Sequence, residues 1–576
     1  MKRYILSTLC LMAGMSLEAQ VTESAIDAVK HMGVGWNLGN TLDASGHSAS
    51  DFTQDAYWGG QGLESETMWG QPETTEPLFA MMRKAGFGAI RVPVTWFNHM
   101  APDGTVDAAW MQRVHTVVDY VIDNDLYCIL NVHHDTGADD TGYQSWIKAD
   151  EGNFAANQQR YERLWQQIAE EFRDYDQRLL FESYNEMLDV KSSWCFASFQ
   201  APGNYDATLA ATAYAGLNAY AQSFVNTVRA TGGNNASRNL VVNTYAASNG
   251  YGSWNTHLIE PLTKMALPQD IVEGHLIFEV HAYPAIGNSN GTNRSLRDIK
   301  NEVDGMISVL NTHLVSKGAP VIFGEWGTSS VDNGAGRTDY DVRRELMLQF
   351  VDYFVRQTKA SDMGTFYWMG MSDGLYRSMP AFTQPDLAEC AVKAYHGDDF
   401  VGEYPSVTEI AEIVCFDGDK VLGWGNGINI NAAPFADLGD EVQLVLDYSQ
   451  EGADDDIQLF FGDWSRKASF VVDGKSFDGD LQPSSYYGTP IGTEHQTVLS
   501  FDKATASQLA QKGLIIHGNG IRLFRAVLRD GSKAGIDAVQ GDLTSDGQPT
   551  YNLFGQSVST AGGGLYITGG HKVWVR

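Results

Sequence analysis

The 576-residue chain has only 5 cysteines. Cys10 lies in the N-terminal leader. Cys128, Cys195, Cys390 and Cys415 form no C-x-x-C pair, so the spacing of a structural zinc site is missing. Cys128 stands in the apolar run 126–130 and reads as a buried free thiol, while a Cys390–Cys415 bridge is left open. Positive charge is also scarce. Against 71 Asp and Glu there are 39 Lys and Arg, a net charge of −32. Nucleic acid and anionic membranes both demand a basic footprint, so neither is expected as a partner. Beyond the leader no apolar run is long enough to span a bilayer, so no transmembrane segment is expected. The Gly-rich phosphate loop of nucleotide-binding folds is missing, as is H-E-x-x-H. His133-His134-Asp135 is a poor metal site, because adjacent side chains on a strand diverge. No metal is expected.

Hydrophobic residues make up 43% and charged residues 19%, the balance of a globular protein with a real core. The length calls for two or three domains. Lys2-Arg3, an apolar stretch from Tyr4 to Leu17 and then Ala19 read as a signal peptide over 1–19. The product is expected to be secreted, or held at the cell surface or in the periplasm.

Short apolar runs then recur at 33–37, 88–93, 127–133, 179–185, 240–245, 276–281, 320–325 and 364–368. Amphipathic helical patterns such as 77–87 and 108–124 lie between them. Apolar strands alternating with helices mean a parallel sheet with helices outside, and eight units over 21–395 fit an α/β (β/α)8 TIM barrel. A doubly wound open sheet is the runner-up. Near residue 395 the texture changes to short β-like runs with Gly, Asp and Ser turns. Residues 400–537 read as a β-sandwich, with 513–528 as two runs around a Gly-Asn-Gly turn. Residues 545–576 read as a small β-rich tail of the secretion or attachment type, after a polar linker at 539–548.

In a barrel the active site lies at the strand C-termini. Here the loops after the strands are long and rich in Gly, Trp, Asn and Asp. The fourth run, FESYNEM, holds Glu182 and Glu186 at shared parity, with Glu186 at the end and Glu182 deeper. Glu325 ends the seventh run. Two carboxyls across a barrel mouth suit glycoside hydrolysis, in which one attacks the anomeric carbon and the other protonates the leaving oxygen. Arg91 is placed to keep the nucleophile ionised, and Asn185 to bind a sugar hydroxyl. His133, His134, His281 and Tyr283 also end strands. Trp58, Trp96, Trp146, Trp194, Trp254 and Trp326 lie in or beside strand-following loops, where a ring floors a sugar subsite or packs in the core. In the sandwich, Trp424, Trp464, Tyr486 and Tyr487 invite a carbohydrate-binding reading.

The stretches 33–44 (GVGWNLGNTLDA), 66–75 (ETMWGQPETT), 90–96 (IRVPVTW), 130–135 (LNVHHD), 184–187 (YNEM), 280–284 (VHAYP), 321–327 (VIFGEWG) and 365–370 (TFYWMG) resemble glycoside hydrolase family 5, most closely its subfamily 4 of endo-β-1,4-glucanases and xyloglucanases. The resemblance covers roughly 25–395. It implies a retaining mechanism without cofactor, Glu186 as acid/base and Glu325 as nucleophile. Arg91, His133, Asn185, His281, Tyr283 and Trp368 match active-site positions; of the two adjacent histidines the first is preferred over His134. The implied partner is a plant β-1,4-glucan such as xyloglucan, mixed-linkage glucan or a cellulose derivative. An endo-β-mannanase and a non-catalytic glycan-binding protein are the alternatives. YWMGMSDG at 367–374 and the loop 191–206 depart from the family pattern.

Overall fold

The computed structural model describes residues 21–530 apart from loop segments, the longest being 46–61, 193–204 and 330–337, together with short strands between 550 and 575. The signal-peptide reading and the linker at 539–548 lie outside the described residues.

Eight parallel strands close into a barrel in chain order. They are β1 (Val34–Asn37), β2 (Ala89–Val92), β3 (Tyr127–Asn131), β4 (Leu179–Glu182), β5 (Leu240–Ser248), β6 (Leu276–Ala282), β7 (Val321–Trp326) and β8 (Gly364–Tyr367). Every residue in them except Tyr127 and Ser248 is buried. Burial on both faces explains why these strands read as continuous apolar runs and not as alternating ones.

Side-chain alternation builds the barrel interior in layers. The floor is apolar: Ala89, Ile129, Leu180, Val241, Ile277, Ile322 and Phe366 pack with Ala25, Val29 and Met32 of the N-terminal helix Ala25–Met32. Two residues further along each strand, the same faces carry Arg91, Asn131, Glu182, Asn243 and Glu279, all fully buried. The barrel thus changes from hydrocarbon to a dense polar layer within one strand repeat, directly beneath the strand C-termini.

Residues 407–576 form a separate compact unit. Strands β9 (Ile413–Val421), β11 (Val442–Gln450), β13 (Glu494–Phe501) and β15 (Ile521–Asp530) belong to one sheet. Strands β10 (Ile428–Ile430), β12 (Asp456–Phe461) and β14 (Leu514–Asn519) belong to another. Leu444, Leu446, Leu523 and Leu528 of the first share one core with Ile457, Leu459, Leu514 and Ile516 of the second, which is a β-sandwich. The runs flanking Gly-Asn-Gly are strands, but they are not a hairpin. β14 pairs with β10 and β12, whereas β15 pairs with β11 and β9. The chain changes sheets at Gly520, whose φ of +63° a side chain would resist. A four-stranded sheet from Thr550 to Val575 closes the chain. Cys390 and Cys415 are free thiols, each donating to a carbonyl of its own unit, Leu348 and Ile413, so they form no bridge.

Candidate active site

Arg91 is the hub. Its guanidinium is wholly buried and donates through Nε and Nη2 to both oxygens of Glu182, at 2.7 and 2.8 Å. Nη1 donates to Glu325 Oε1 at 2.9 Å and Asn37 Oδ1 at 3.0 Å, and Nη2 to Asn185 Oδ1 at 2.9 Å. Nε also lies 3.3 Å from Glu279 Oε1. A buried guanidinium is tolerated only when its donors are matched this fully. Burial pushes the Glu182 carboxyl up, but the Arg91 charge and hydrogen bonds from Arg91 and Asn131 outweigh it and hold the group below the usual carboxylate range. Glu182 is therefore the structural anion that seats Arg91, in its expected deeper place.

Glu325 and Glu186 are differently set. Glu325 is nearly buried and accepts from Arg91 on Oε1 and from the Tyr283 hydroxyl on Oε2 at 2.6 Å. Glu186 keeps 29% of its side chain in solvent and meets His281 Nδ1 at 2.8 Å. One carboxylate oxygen of each lies within 4.8 Å of the other and of a His281 nitrogen. Burial pulls the His281 imidazole down, but Glu325 and hydrogen bonds to Glu186 and Glu279 carry it up to about 10, so it is a cation at neutral pH. Burial, with His134, Arg91 and His281 nearby, drives His133 the other way, well below its usual range. Its Nδ1 lies 3.0 Å from Asn131 Nδ2, and its Nε2 lies 3.4 Å from Asn185 Nδ2 and 3.8 Å from Glu325 Oε1.

Strand geometry explains which residues arrive. β4 ends at Glu182, so alternation does not continue to Glu186. Tyr184 turns away and its hydroxyl donates to the Asn243 carbonyl, while consecutive Asn185 and Glu186 both reach the site. In β7 a register irregularity after Phe323 brings Glu325 inward. The same irregularity turns Trp326 outward. It is fully buried and stacks on Phe354 at 4.3 Å, so the expectation that it meets substrate is corrected: it is core. Trp96 and Trp146 are core as well, their indole N–H groups donating to the Asn131 carbonyl and Asp135. Trp58, Trp194 and Trp254 lie outside the described residues.

Trp368 does line the site. It stacks parallel to His133, centroids 5.8 Å apart and planes 4° apart. Gly39 admits it, since a Cβ there would lie 2.8 Å from the indole ring. His134 is partly exposed, 3.7 Å from Asp43 and edge-on to Trp69 at 5.2 Å. Asp43, His133 and His134 also bring three ligand-type atoms within 4.8 Å of one another. Trp69, 39% exposed, was missed as a site residue although it stands in the quoted ETMWG stretch. Asn37, Asn131 and Glu279 were missed too, and for these the signal was a polar residue inside an apolar strand.

The profile of the family described as "Cellulase (glycosyl hydrolase family 5)" matches residues 46–373. The chain belongs to glycosyl hydrolase family 5. It is 33% identical over 381 residues to the cellulase/esterase CelE of Acetivibrio thermocellus, covering 65% of this chain but 39% of that one. It is 31% identical over 369 residues to endoglucanase B of Neocallimastix patriciarum, covering 63% and 68%. The chain thus spans well under half of the first of these relatives and about two thirds of the second. Among solved structures, a GH5-4 broad-specificity endoglucanase from an uncultured bacterium is 56% identical, covering 66% of this chain and 98% of its own, with a TM-score of 0.61. A family 5 enzyme of Prevotella bryantii B14, solved with a xyloglucan tetradecasaccharide, is 38% identical over 66% and 100%, with a TM-score of 0.55. All of these matches stop within about two thirds of the chain, so they bear on a part of it the size of the barrel.

Proposed function

We propose that this family 5 member is a retaining endo-β-1,4-glucanase acting on plant β-glucans, with xyloglucan and mixed-linkage glucan foremost. The observation that carries the reading is the approach of Glu186 and Glu325 to within 4.8 Å. Carboxyls about 5–5.5 Å apart leave no room for a water between acid and sugar, which favours attack by a carboxylate over attack by water. Glu325 is the nucleophile. Arg91 and Tyr283 hold its two oxygens. Its oxygen attacks the anomeric carbon as Glu186 gives its proton to the departing glycosidic oxygen. Glu186 then takes a proton from water, which attacks the same carbon and frees Glu325. His281 positions Glu186; His133, Asn185 and Trp368 line the sugar site, and His134 with Trp69 extends it.

The relatives support the substrate class: several are endoglucanases, and the Prevotella enzyme was solved with a xyloglucan tetradecasaccharide. Export is the reading of Lys2-Arg3 and the apolar stretch after it. For the second unit we infer glycan binding at Trp464, which is 54% exposed, has a φ of +59° and stands 4.9 Å from Phe460.

Reducing ends released from xyloglucan, barley glucan, carboxymethylcellulose and glucomannan test the activity, with Glu325→Gln as control. Release from the glucans that the substitution abolishes is expected. Release from mannan backbones alone would move the assignment to a mannanase, and binding without release would make the barrel a receptor.

A further inference from the structure

Two carboxylates account for the reaction and a third, Glu182, for seating Arg91. Glu279 of β6 is a fourth carboxyl in the same buried layer, with no role so far. It is wholly buried; among the described residues its Oε2 meets no hydrogen-bond donor, and its carboxyl faces that of Glu182. Its Oε1 lies 3.3 Å from His281 Nε2 and 3.3 Å from Arg91 Nε. The neighbouring strand is shaped for it: at Gly324 of β7 a Cβ would stand 1.5 Å from Oε1. Burying a fourth carboxyl in one polar layer carries a desolvation cost, which rarely survives without a use.

The two contacts of Oε1 differ in what they hold. Arg91 has four other partners, Glu182, Glu325, Asn37 and Asn185. Losing Glu279 leaves it seated. The His281 Nε2–H has Glu279 as its acceptor and no other among the described residues. The opposite nitrogen of that ring donates to Glu186.

We propose that Glu279 is a positioning residue for proton delivery, orienting His281 so that its other face holds Glu186 against the leaving oxygen. This rests on the reading of Glu186 as acid/base. The neutral form suits the part. Burial and the adjacent Glu182 raise the Glu279 carboxyl to about 8, so at neutral pH it still accepts from Nε2–H without adding a third negative charge beside Glu182 and Glu325. The charged groups facing it are Arg91 from β2, Glu182 from β4, and His281 on its own strand. Glu325 of β7 lies on the far side of the His281 ring.

Holding the acid and holding the nucleophile give different signatures. A sugar with a good leaving group needs little protonation to depart, whereas a polysaccharide bond needs it fully. The test measures kcat/KM on barley glucan and on 2,4-dinitrophenyl β-cellobioside for the full chain and for Glu279→Gln, Glu279→Asp, Glu279→Ala and Glu186→Ala, each with a melting curve. Glu279→Gln keeps an acceptor oxygen in place and is expected to stay near wild type on both substrates. Glu279→Asp and Glu279→Ala, which withdraw it, are expected to lose about 10- to 100-fold on glucan and little on the aryl glycoside, a milder copy of Glu186→Ala. Equal losses on the two substrates, or no loss from Glu279→Asp, overturn the proposal even if Glu279→Ala fails to fold. If Glu186→Ala is itself unselective, the acid/base assignment fails, and this inference with it.

Discussion

Glu325 loses its anionic oxygen in Glu325→Gln while its shape and its place beside Arg91 remain. Turnover is expected to fall by about 10^3-fold or more, the scale on which removing a nucleophile acts, with melting temperature held. Glu186→Ala should cripple attack on polysaccharide by about 10^2–10^4-fold and spare substrates with activated leaving groups. Initial rates on the two substrate types check both. A pH effect belongs to this scale as well. The Glu279 carboxyl is raised from 4.5 to about 8 in the folded chain. Between those values the folded state holds a proton that the unfolded state has released, so this group's contribution to stability declines as pH rises from about 5 to 8. The melting temperature of the parent should therefore fall relative to that of Glu279→Gln across this interval. A constant offset would contradict the assigned shift. His281, raised to about 10 in part by Glu279 itself, adds a decline of the same sign only above pH 6.5, so the interval from about pH 5 to 6.5 isolates Glu279. Glu325 and Glu186 were legible as site candidates because each stands at the end of an apolar run. Glu279 was legible in principle, two residues before His281 and of the same parity, but a charge inside an apolar run reads most simply as a buried structural group.

At the level of strands and loops, the eight apolar runs became the eight barrel strands to within a few residues. What alternation alone misassigned were the places where it breaks. β4 stops at Glu182, and β7 carries an irregularity that exchanges Glu325 and Trp326 between inner and outer faces. No local residue pattern marks either event, because each is fixed by pairing with neighbouring strands. The loop after β1 carries Gly39 beneath Trp368, and Gln71 ties to Asp373 and Gly374 in the loop after β8. Gly39→Val should push the indole off His133. A rise in KM for glucan of about tenfold with a smaller change in kcat is the expected result, since stacking acts on ground state and transition state alike. A fall in kcat with unchanged KM would show that Trp368 does not bind sugar.

The whole chain divides at residue 406 into units with separate hydrophobic cores. A protein ending at Ser406 is therefore expected to fold and to keep full activity on soluble glucan. Trp464→Ala in the full chain should weaken retention in glucan-containing native gels and leave kcat on soluble substrate unchanged; unaltered migration would remove Trp464 as a sugar platform. The domain change was visible from composition alone. The sheet-to-sheet crossing at Gly520 was not, because Gly-Asn-Gly between two apolar runs is the ordinary mark of a hairpin.

The approach of Glu186 and Glu325 to within 4.8 Å makes one stereochemical claim about the whole enzyme. Proton NMR of the first product released from a cello-oligosaccharide, recorded before mutarotation, tests it directly. The β-anomer is the predicted result, through a glycosyl–Glu325 intermediate. The α-anomer would mean that water attacks directly, and that Glu325 is not the nucleophile.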